Sequence, residues 1–408
     1  MSAVDIPSFL NECYLTKALS KAYACEVEVK KCVIKLASAN GENFCSAIYR
    51  AYVEFTRNGG GETEKKALVL KVMIPEIAEV GTNEHIMYGQ VLPAMEEQQQ
   101  MSLIDAKQRV RFGPACLMID RVRKQVYVLE DLNALNYSLA DRFVGLDEPH
   151  AALLMKKLGQ YHAASMVYIA KFPEVVQLLQ GSHFAKGAED QVAKAIAFGG
   201  MEHAIRLVEK WPNFYEISLK MKAALSSFDE RVKAMVDSKN CKVQVLTHGD
   251  LWVNNFLYSY EKEVPQDVVF VDFQNSFLGS PGFDIHYFLN TSVRLEVLST
   301  KRYDLQRIYY ESLRKTLVMS GFEARRIPTL TTIMQEIRNT EFFGYYAAVC
   351  ELPICCMSKQ ASLDMTVNSF ADQHFMELKR RQMYEENPRV LAMLRYSLDR
   401  FNELGVMD

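Results

Sequence analysis

The stretch "THGDLWVNNF", Thr247 to Phe256, sets a histidine, an aspartate and two asparagines among apolar residues. It follows "KVQVL" and precedes "DVVFVDF", two runs with the apolar content and spacing of short strands. A polar loop held between strands presents its side chains at fixed places. Asp250 is followed five residues on by Asn255, and seventeen residues after that by Asp272 at the end of the second run. Whether this unit is a polar turn or a reactive site depends on what the rest of the chain brings to it.

Transfer of a phosphoryl group from ATP to a hydroxyl needs four parts. They are a carboxylate to accept the hydroxyl proton, oxygen ligands for Mg2+, a cation on the phosphates, and a loop that covers them. His248 to Asn255 has the H-x-D-x-x-x-x-N spacing of a kinase catalytic loop, and Asp272-Phe273 stands where the second metal ligand is expected. Gln274 replaces the glycine that follows in protein kinases. Upstream, Lys71 lies in the strand-like "LVLKVMIP", and Glu84 on the next helical segment can pair with it. The loop "ANGENFCSAIY" supplies a phosphate cover, with Gly41, Asn43 and Ser46 as its contacts, although it lacks G-x-G-x-x-G. "YVLEDL" ends as a hinge at Glu130, Asp131 and Leu132, where backbone groups can meet an adenine edge. Alone, Lys71 is a surface lysine and Glu84 a helix charge; the ordered conjunction carries the reading.

The order of elements supports it. After a helix over Ser8 to Ala22, "CEVEVKKCVIKLAS" and "FCSAIYRAYVEFT" alternate as half-buried strands, and "NGGG" at Asn58 to Gly61 turns into a third, "KKALVLKVMIP". A helix over Ile77 to Gln100 and the strands "PACLMID" and "QVYVLEDL" follow. The expectation is an α+β chain of two lobes: residues 1–132, a five-stranded antiparallel sheet with one helix packed on it, and residues 133–408, mainly helical. At 408 residues two lobes are also what core size favours.

Composition narrows the partners. With 47 basic and 50 acidic side chains the net charge is −3, which gives no reason to expect nucleic acid or an anionic membrane surface. Nine scattered cysteines without CxxC spacing indicate a reduced compartment. Asp5 and Glu12 interrupt the start before any signal-like apolar run, so a cytoplasmic location is expected. "FFGYYAAVCELPICCM" is broken by Glu351 and Pro353 and reads as a buried helix, not a membrane span. No obligate protein partner is indicated.

"THGDLWVNNFLY" and "VVFVDFQ", with "GENFCSAIYRAY", "LVLKVMIP", "EHIMYGQVLPAM", "YVLEDLNALNY" and "LGQYHAASMVY", resemble the ecdysteroid kinase-like proteins, which have the choline kinase and aminoglycoside phosphotransferase fold. The resemblance runs from "IPSFL" to "RFNELGVMD" and implies a bilobal protein-kinase-like fold. Carried over by position, it implies Asp250 as catalytic base, His248 as a brace of the catalytic loop, Asn255 and Asp272 as Mg2+ ligands, and Lys71 with Glu84 as the phosphate-holding pair. Asp284 matches a family aspartate that steadies the loop, and His162 a recurrent position read here as a packed helix histidine. Asn254 has no derivable role.

Two departures from protein kinases bear on the acceptor. Trp252 stands where Ser/Thr kinases carry a lysine, and only eleven residues separate Asp272 from Asp284, too few for an activation segment. The expected substrate is a small-molecule alcohol, an ecdysteroid or hydroxylated xenobiotic, bound among the apolar helices of Gln191 to Met235 and Thr331 to Met365. A choline or ethanolamine kinase, and a non-catalytic member that binds nucleotide or steroid, are the alternatives.

Overall fold

The computed structural model describes residues 6–37, 46–75, 82–102, 110–122, 125–182, 184–185, 191–358, 362, 365, 369 and 372–408. The alternating runs form β1 (Val27–Leu36), β2 (Ser46–Arg57), β3 (Glu64–Met73), β4 (Cys116–Asp120) and β5 (Val126–Glu130), in the antiparallel order β1-β2-β3-β5-β4. Asn58 (φ 54°) and Gly59 (φ 73°) make the β2–β3 turn, the left-handed pair that an Asn-Gly hairpin supplies at little cost. β3 is central, which places Lys71 between Ile48 and Tyr127 of its neighbours.

Two helices cover the sheet, one on each face, rather than the single one expected. The helix Glu12–Tyr23, capped by the Asn11 side chain, buries Tyr14, Leu15, Ala18 and Leu19 against Val53, Phe55, Leu70 and Val128. Its apolar positions recur every three or four residues, which makes it amphipathic and therefore sheet-bound. On the other face, Glu84–Ile86 continues through a π-helical turn, Met87–Val91, into Leu92–Ser102. Of the helix expected from Ile77, residues 77–81 lie outside the described residues.

Beyond residue 132 the chain is mostly helical. Glu148–Lys171 packs along Leu295–Met319, and Gly159 allows the close approach, since a Cβ there would lie 2.5 Å from the Tyr309 carbonyl oxygen. One apolar cluster joins Met73, Tyr88 and Phe112 on the sheet side to Tyr161, Phe270 and Phe288, so the core runs across residue 132. A second cluster packs Gln191–Val208, Tyr215–Ser226 and Phe228–Val236 against Phe342, Phe343, Tyr345 and Tyr346. The aromatic side chains expected to suit an acceptor are therefore mostly buried against one another. No helix among the described residues is long and apolar enough to cross a membrane.

The second cluster borders a buried ionic group. Arg400 grips Glu341 with two bonds, 2.8 and 2.6 Å. Burial pushes the Glu341 carboxyl up, but the positive neighbours hold it at about 2. His286, 3.9 Å away, is itself kept towards neutrality by burial, so the Arg400 guanidinium carries the pairing. The folded carboxyl is thus depressed below its unfolded value, and its contribution is present above about pH 4.5 and fades as pH falls towards 2. Glu341→Gln is expected to lower stability by about 3 kcal/mol at pH 7, with the gap to wild type closing between pH 5 and 3. Urea titrations at both pH values check this; a gap that is independent of pH contradicts it.

Candidate active site

The two strand-like runs around "THGDLWVNNF" are rearranged relative to the sequence reading. Only Val245–Leu246 (β7) is extended before the loop, and it pairs with Leu278–Gly279 (β10). After it, Phe256–Glu261 (β8) forms a hairpin with Val264–Phe270 (β9), while Tyr137–Ser138 (β6) lies on the other edge of β8. The Val271 N–H donates to the Asn255 carbonyl at 2.9 Å, which ties the loop to the segment bearing Asp272.

Gly249 is required at φ 82°, because a Cβ there would lie 2.0 Å from the Asn275 carbonyl oxygen. Asp284, in the first turn of Gly282–Thr291, accepts the backbone N–H groups of His248 (2.6 Å) and Gly249 (2.9 Å). It also accepts His162 Nε2 at 2.9 Å. Burial would raise the Asp284 carboxyl, but the His162 hydrogen bond and the backbone donors hold it below its ordinary value. An ionised carboxylate has no proton to give, so His162 Nε2 donates to it, while Nδ1 lies 2.9 Å from the Tyr309 hydroxyl. His162 is packed, as read from the sequence, and it also orients Asp284.

His248 is fully buried, with Nε2 donating to the Val271 carbonyl at 2.9 Å and Nδ1 accepting the Asp250 N–H at 3.3 Å. Burial lowers its pKa, and both ring nitrogens are hydrogen-bonded to backbone groups, of Val271 and of Asp250. Asp250 is half-buried; Asn255 Nδ2 donates to its carbonyl (2.9 Å) and to its Oδ2 (3.0 Å). Burial, then the negative charges of Asp272 and Glu351, push the Asp250 carboxyl up to about 8. Trp252 lies between the two large apolar clusters and is partly buried by both.

Across the cleft, Lys71 Nζ lies 2.7 Å from Glu84 Oε1 and 2.8 Å from Asp272 Oδ1. Burial opposes the charge on Lys71, but the two carboxylates raise its pKa above the ordinary value. Glu84 is raised by burial, against the pull of Lys71. The π-helical turn after Glu84 brings the Tyr88 hydroxyl to the Asp272 N–H, at 3.2 Å. Asp272 itself sits at φ 65°, a conformation costing of order 1 kcal/mol that the surrounding contacts impose.

The other expected residues are placed less openly. Ser46 is buried at the start of β2, whereas Gly41 and Asn43 lie outside the described residues. At the end of β5, where a hinge was expected, Asp131 pairs with Arg50 at 2.6 Å and Glu130 with Arg111 at 2.5 Å, so neither side chain is free for a ligand. The Glu130 and Asp131 N–H groups donate to Ala115 and Ala67. The Leu132 N–H opens the turn Leu132–Leu135, whose next two donors are taken by Asp131, Asn133 N–H by its carboxylate and Ala134 N–H by its carbonyl.

Three residues near Asp250 carry no signature spacing: Tyr287, Tyr346 and Glu351. Both tyrosine hydroxyls donate to Glu351, Tyr287 at 3.2 Å. The only sequence signal was a lone carboxylate inside an apolar run.

The residues present fit a Mg2+ ion. Among the described residues no group of three His, Cys, Asp or Glu is placed to hold a metal, but Mg2+ needs only one or two protein ligands when phosphate oxygens supply others. Asn255 and Asp272 offer those two. Burial does most to raise Asp250, and the neighbouring charges of Asp272 and Glu351 add to it; a dication would offset that second part.

Residues 40–322 match the family model described as the ecdysteroid kinase-like family. That span is shorter than the near-complete likeness read from the motifs. Among solved structures, an ethanolamine kinase of Plasmodium vivax overlays with a TM-score of 0.41 at 12% identity, covering 97% of this chain and 93% of that one. A choline kinase from Streptococcus pneumoniae gives 0.40 at 11%, covering 94% and 99%. An aminoglycoside phosphotransferase from Alicyclobacillus acidocaldarius gives 0.37 at 14%, covering 98% of each chain. At these values the likenesses carry no weight for the chemistry. No protein of curated function matches the sequence.

Proposed function

We propose, starting from the fact that the chain belongs to the ecdysteroid kinase-like family, that it is an ATP- and Mg2+-dependent phosphotransferase for a hydroxyl of a hydrophobic small molecule, such as an ecdysteroid or a hydroxylated xenobiotic. One observation carries the reading. Lys71 is ion-paired at once to Glu84 and to Asp272, 201 residues away, beside the hydrogen-bonded pair of Asp250 and Asn255. A single positive group and the candidate metal ligands thus face the candidate base.

Bound with Mg2+, ATP supplies the phosphoryl group while the ion offsets its negative charge. Residues 1–132 would hold the nucleotide, with the Leu132 N–H at the adenine edge and Lys71 at the phosphates. Residues 133–408 would hold the acceptor. Asn255 and Asp272 would hold the ion. Asp250, held in place by Asn255 and by the loop that Asp284 braces, accepts the acceptor's hydroxyl proton at Oδ1, the oxygen Asn255 leaves free. Trp252, in place of a lysine, and the short interval to Asp284 favour a small acceptor over a protein.

Lys71→Met is expected to raise the KM for ATP and lower kcat/KM by roughly 100-fold. It also strands the buried Glu84 carboxylate, at a cost of about 3 kcal/mol. Adding Glu84→Met should recover most of that stability and none of the activity. Thermal melts and ATP titrations of both variants read this, and parallel recovery of activity contradicts it. The function itself is tested by incubating the protein with Mg-ATP and ecdysteroids, hydroxylated xenobiotics or choline. A gain of one phosphate on a hydrophobic alcohol is expected; transfer to choline alone, or to nothing, overturns the reading.

A further inference from the structure

Asn83 stands directly before Glu84, at the start of the helical stretch that carries it, with its own backbone already helical at φ −74° and ψ −7°. At such a position asparagine ordinarily caps the helix by accepting an N–H of the first turn. Here its side chain turns to other segments. Oδ1 accepts the Gln180 N–H at 2.7 Å, and Nδ2 donates to the Gln180 carbonyl at 2.8 Å and to the Ser276 carbonyl at 2.7 Å. The Asn83 N–H donates to the Gln274 carbonyl at 3.4 Å. Asn83 is buried, and a primary amide offers an acceptor and two donors at once, which aspartate and serine, equally good caps, do not.

Gln274 and Ser276 follow Asp272 by two and four residues, so Asn83 ties the backbone beside one carboxylate of Lys71 to the backbone beside the other. Ser276 also donates its hydroxyl to the His248 carbonyl at 3.2 Å, which extends the link to the loop that bears Asp250. Farther along the same helical stretch, Gln90 Nε2 donates to the Tyr168 hydroxyl at 3.2 Å and Gln99 Nε2 to the Ser320 hydroxyl at 2.9 Å. Met87, Val91 and Met95 share an apolar cluster with Tyr161, Phe270 and Phe273. A stretch that lies among residues 1–132 in sequence is thus bonded at its start, middle and end to residues beyond 132.

We propose that Asn83 is a positioning residue for phosphoryl transfer: it clamps the stretch bearing Glu84 to the segment bearing Asp272, so that the Lys71–Glu84 pair is complete before nucleotide binds and no swing of this helix switches it on or off. What the pair does rests on the kinase reading above; that Asn83 holds the helix does not. Lys71 is buried between two carboxylates, and a helix free to drift would withdraw one of them and leave Glu84 buried without its cation. A cation fixed in advance also needs no reorganisation at the moment of reaction.

The test uses the full chain. Without nucleotide, Asn83→Ala should speed hydrogen exchange at the amides of residues 87–99 by roughly tenfold more than at those of Glu148–Lys171; equal exchange in variant and wild type overturns the clamp. Should that variant fail to fold, wild type decides by itself. Adding Mg2+ and a non-hydrolysable ATP analogue should slow residues 87–99 no more than Glu148–Lys171, and slowing more than about threefold beyond that helix overturns the proposal, because the ligand would then be placing the helix. A wild type that binds no analogue overturns the kinase reading instead. For the reaction, Asn83→Ala should lower kcat/KM for ATP roughly 10- to 100-fold, mainly through KM. In a Glu84→Ala background the same substitution should cost less than about threefold, whereas losses that multiply in the double variant overturn action through Glu84.

Discussion

Asp250→Asn is expected to lower kcat by roughly 1,000-fold or more while the melting temperature and the affinity for ATP stay near wild type. The amide has the shape of the carboxylate, and its Oδ1 can take over the bond from Asn255 Nδ2 that Oδ2 accepts in the native protein, at 3.0 Å. What it cannot do is accept a proton from the attacking hydroxyl. General-base catalysis contributes about 100- to 10,000-fold, so the loss should lie in that range or above. Removing one negative charge beside Asp272 should, if anything, strengthen binding of Mg-ATP, since Asp250 and Asp272 repel each other. Steady-state rates with an acceptor alcohol that the wild type phosphorylates, and nucleotide titrations by calorimetry, check both halves. A variant within tenfold of wild type contradicts the assignment of Asp250 as base.

Asp284→Asn is expected to cost about 3–5 kcal/mol and to lower kcat by roughly 100-fold in whatever fraction remains folded. The native carboxylate meets only donors: His248 N–H at 2.6 Å, Gly249 N–H at 2.9 Å and His162 Nε2 at 2.9 Å. The two backbone donors use different oxygens, and His162 shares Oδ2. An amide offers one oxygen and one NH2, so in either orientation at least one donor faces another donor in a sealed site. The loop that carries Asp250 then loses the bonds that fix it, and small displacements of a reacting group are expensive in rate. Urea unfolding and rates measured at a temperature where the variant is folded separate the two effects. A variant within 1 kcal/mol of wild type contradicts the bracing role.

Much of this arrangement was legible because it is local. The hairpin strands announced themselves by alternation, and so did the five-stranded antiparallel sheet; that β5 and not β4 lies beside β3 was not legible, because that pairing crosses the intervening helix. Lys71, Glu84, Asp250, Asn255 and Asp272 were picked out by spacing and by the elements they ride on, and the structure brings Lys71, Glu84 and Asp272 into contact. What stayed hidden is long-range. His162 and Asp284 are 122 residues apart, and no periodicity tells a packed histidine from one that holds a carboxylate. Glu351 looked only like a charge that spoils a membrane span, because its tyrosine partners include Tyr287, 64 residues away. The helix Glu12–Tyr23 read correctly as a helix, but its place on the second face of the sheet depends on which side of the hairpin the chain crosses. β8 was missed because "FLYSYE" does not alternate: Phe256, Leu257 and Tyr258 are buried in succession, directly after the polar loop.

The account turns on one claim, that Asp250, Asn255, Asp272 and Lys71 converge on phosphoryl transfer to a small alcohol. The measurement closest to it is single-turnover transfer from ATP labelled in its γ-phosphate to a hydrophobic alcohol such as an ecdysteroid, with wild type and Asp250→Asn side by side. The account predicts that the label appears on the alcohol with wild type, stoichiometrically with enzyme, and at least about 1,000 times more slowly with the variant. Label released only to water, or transferred equally fast by both proteins, would contradict it.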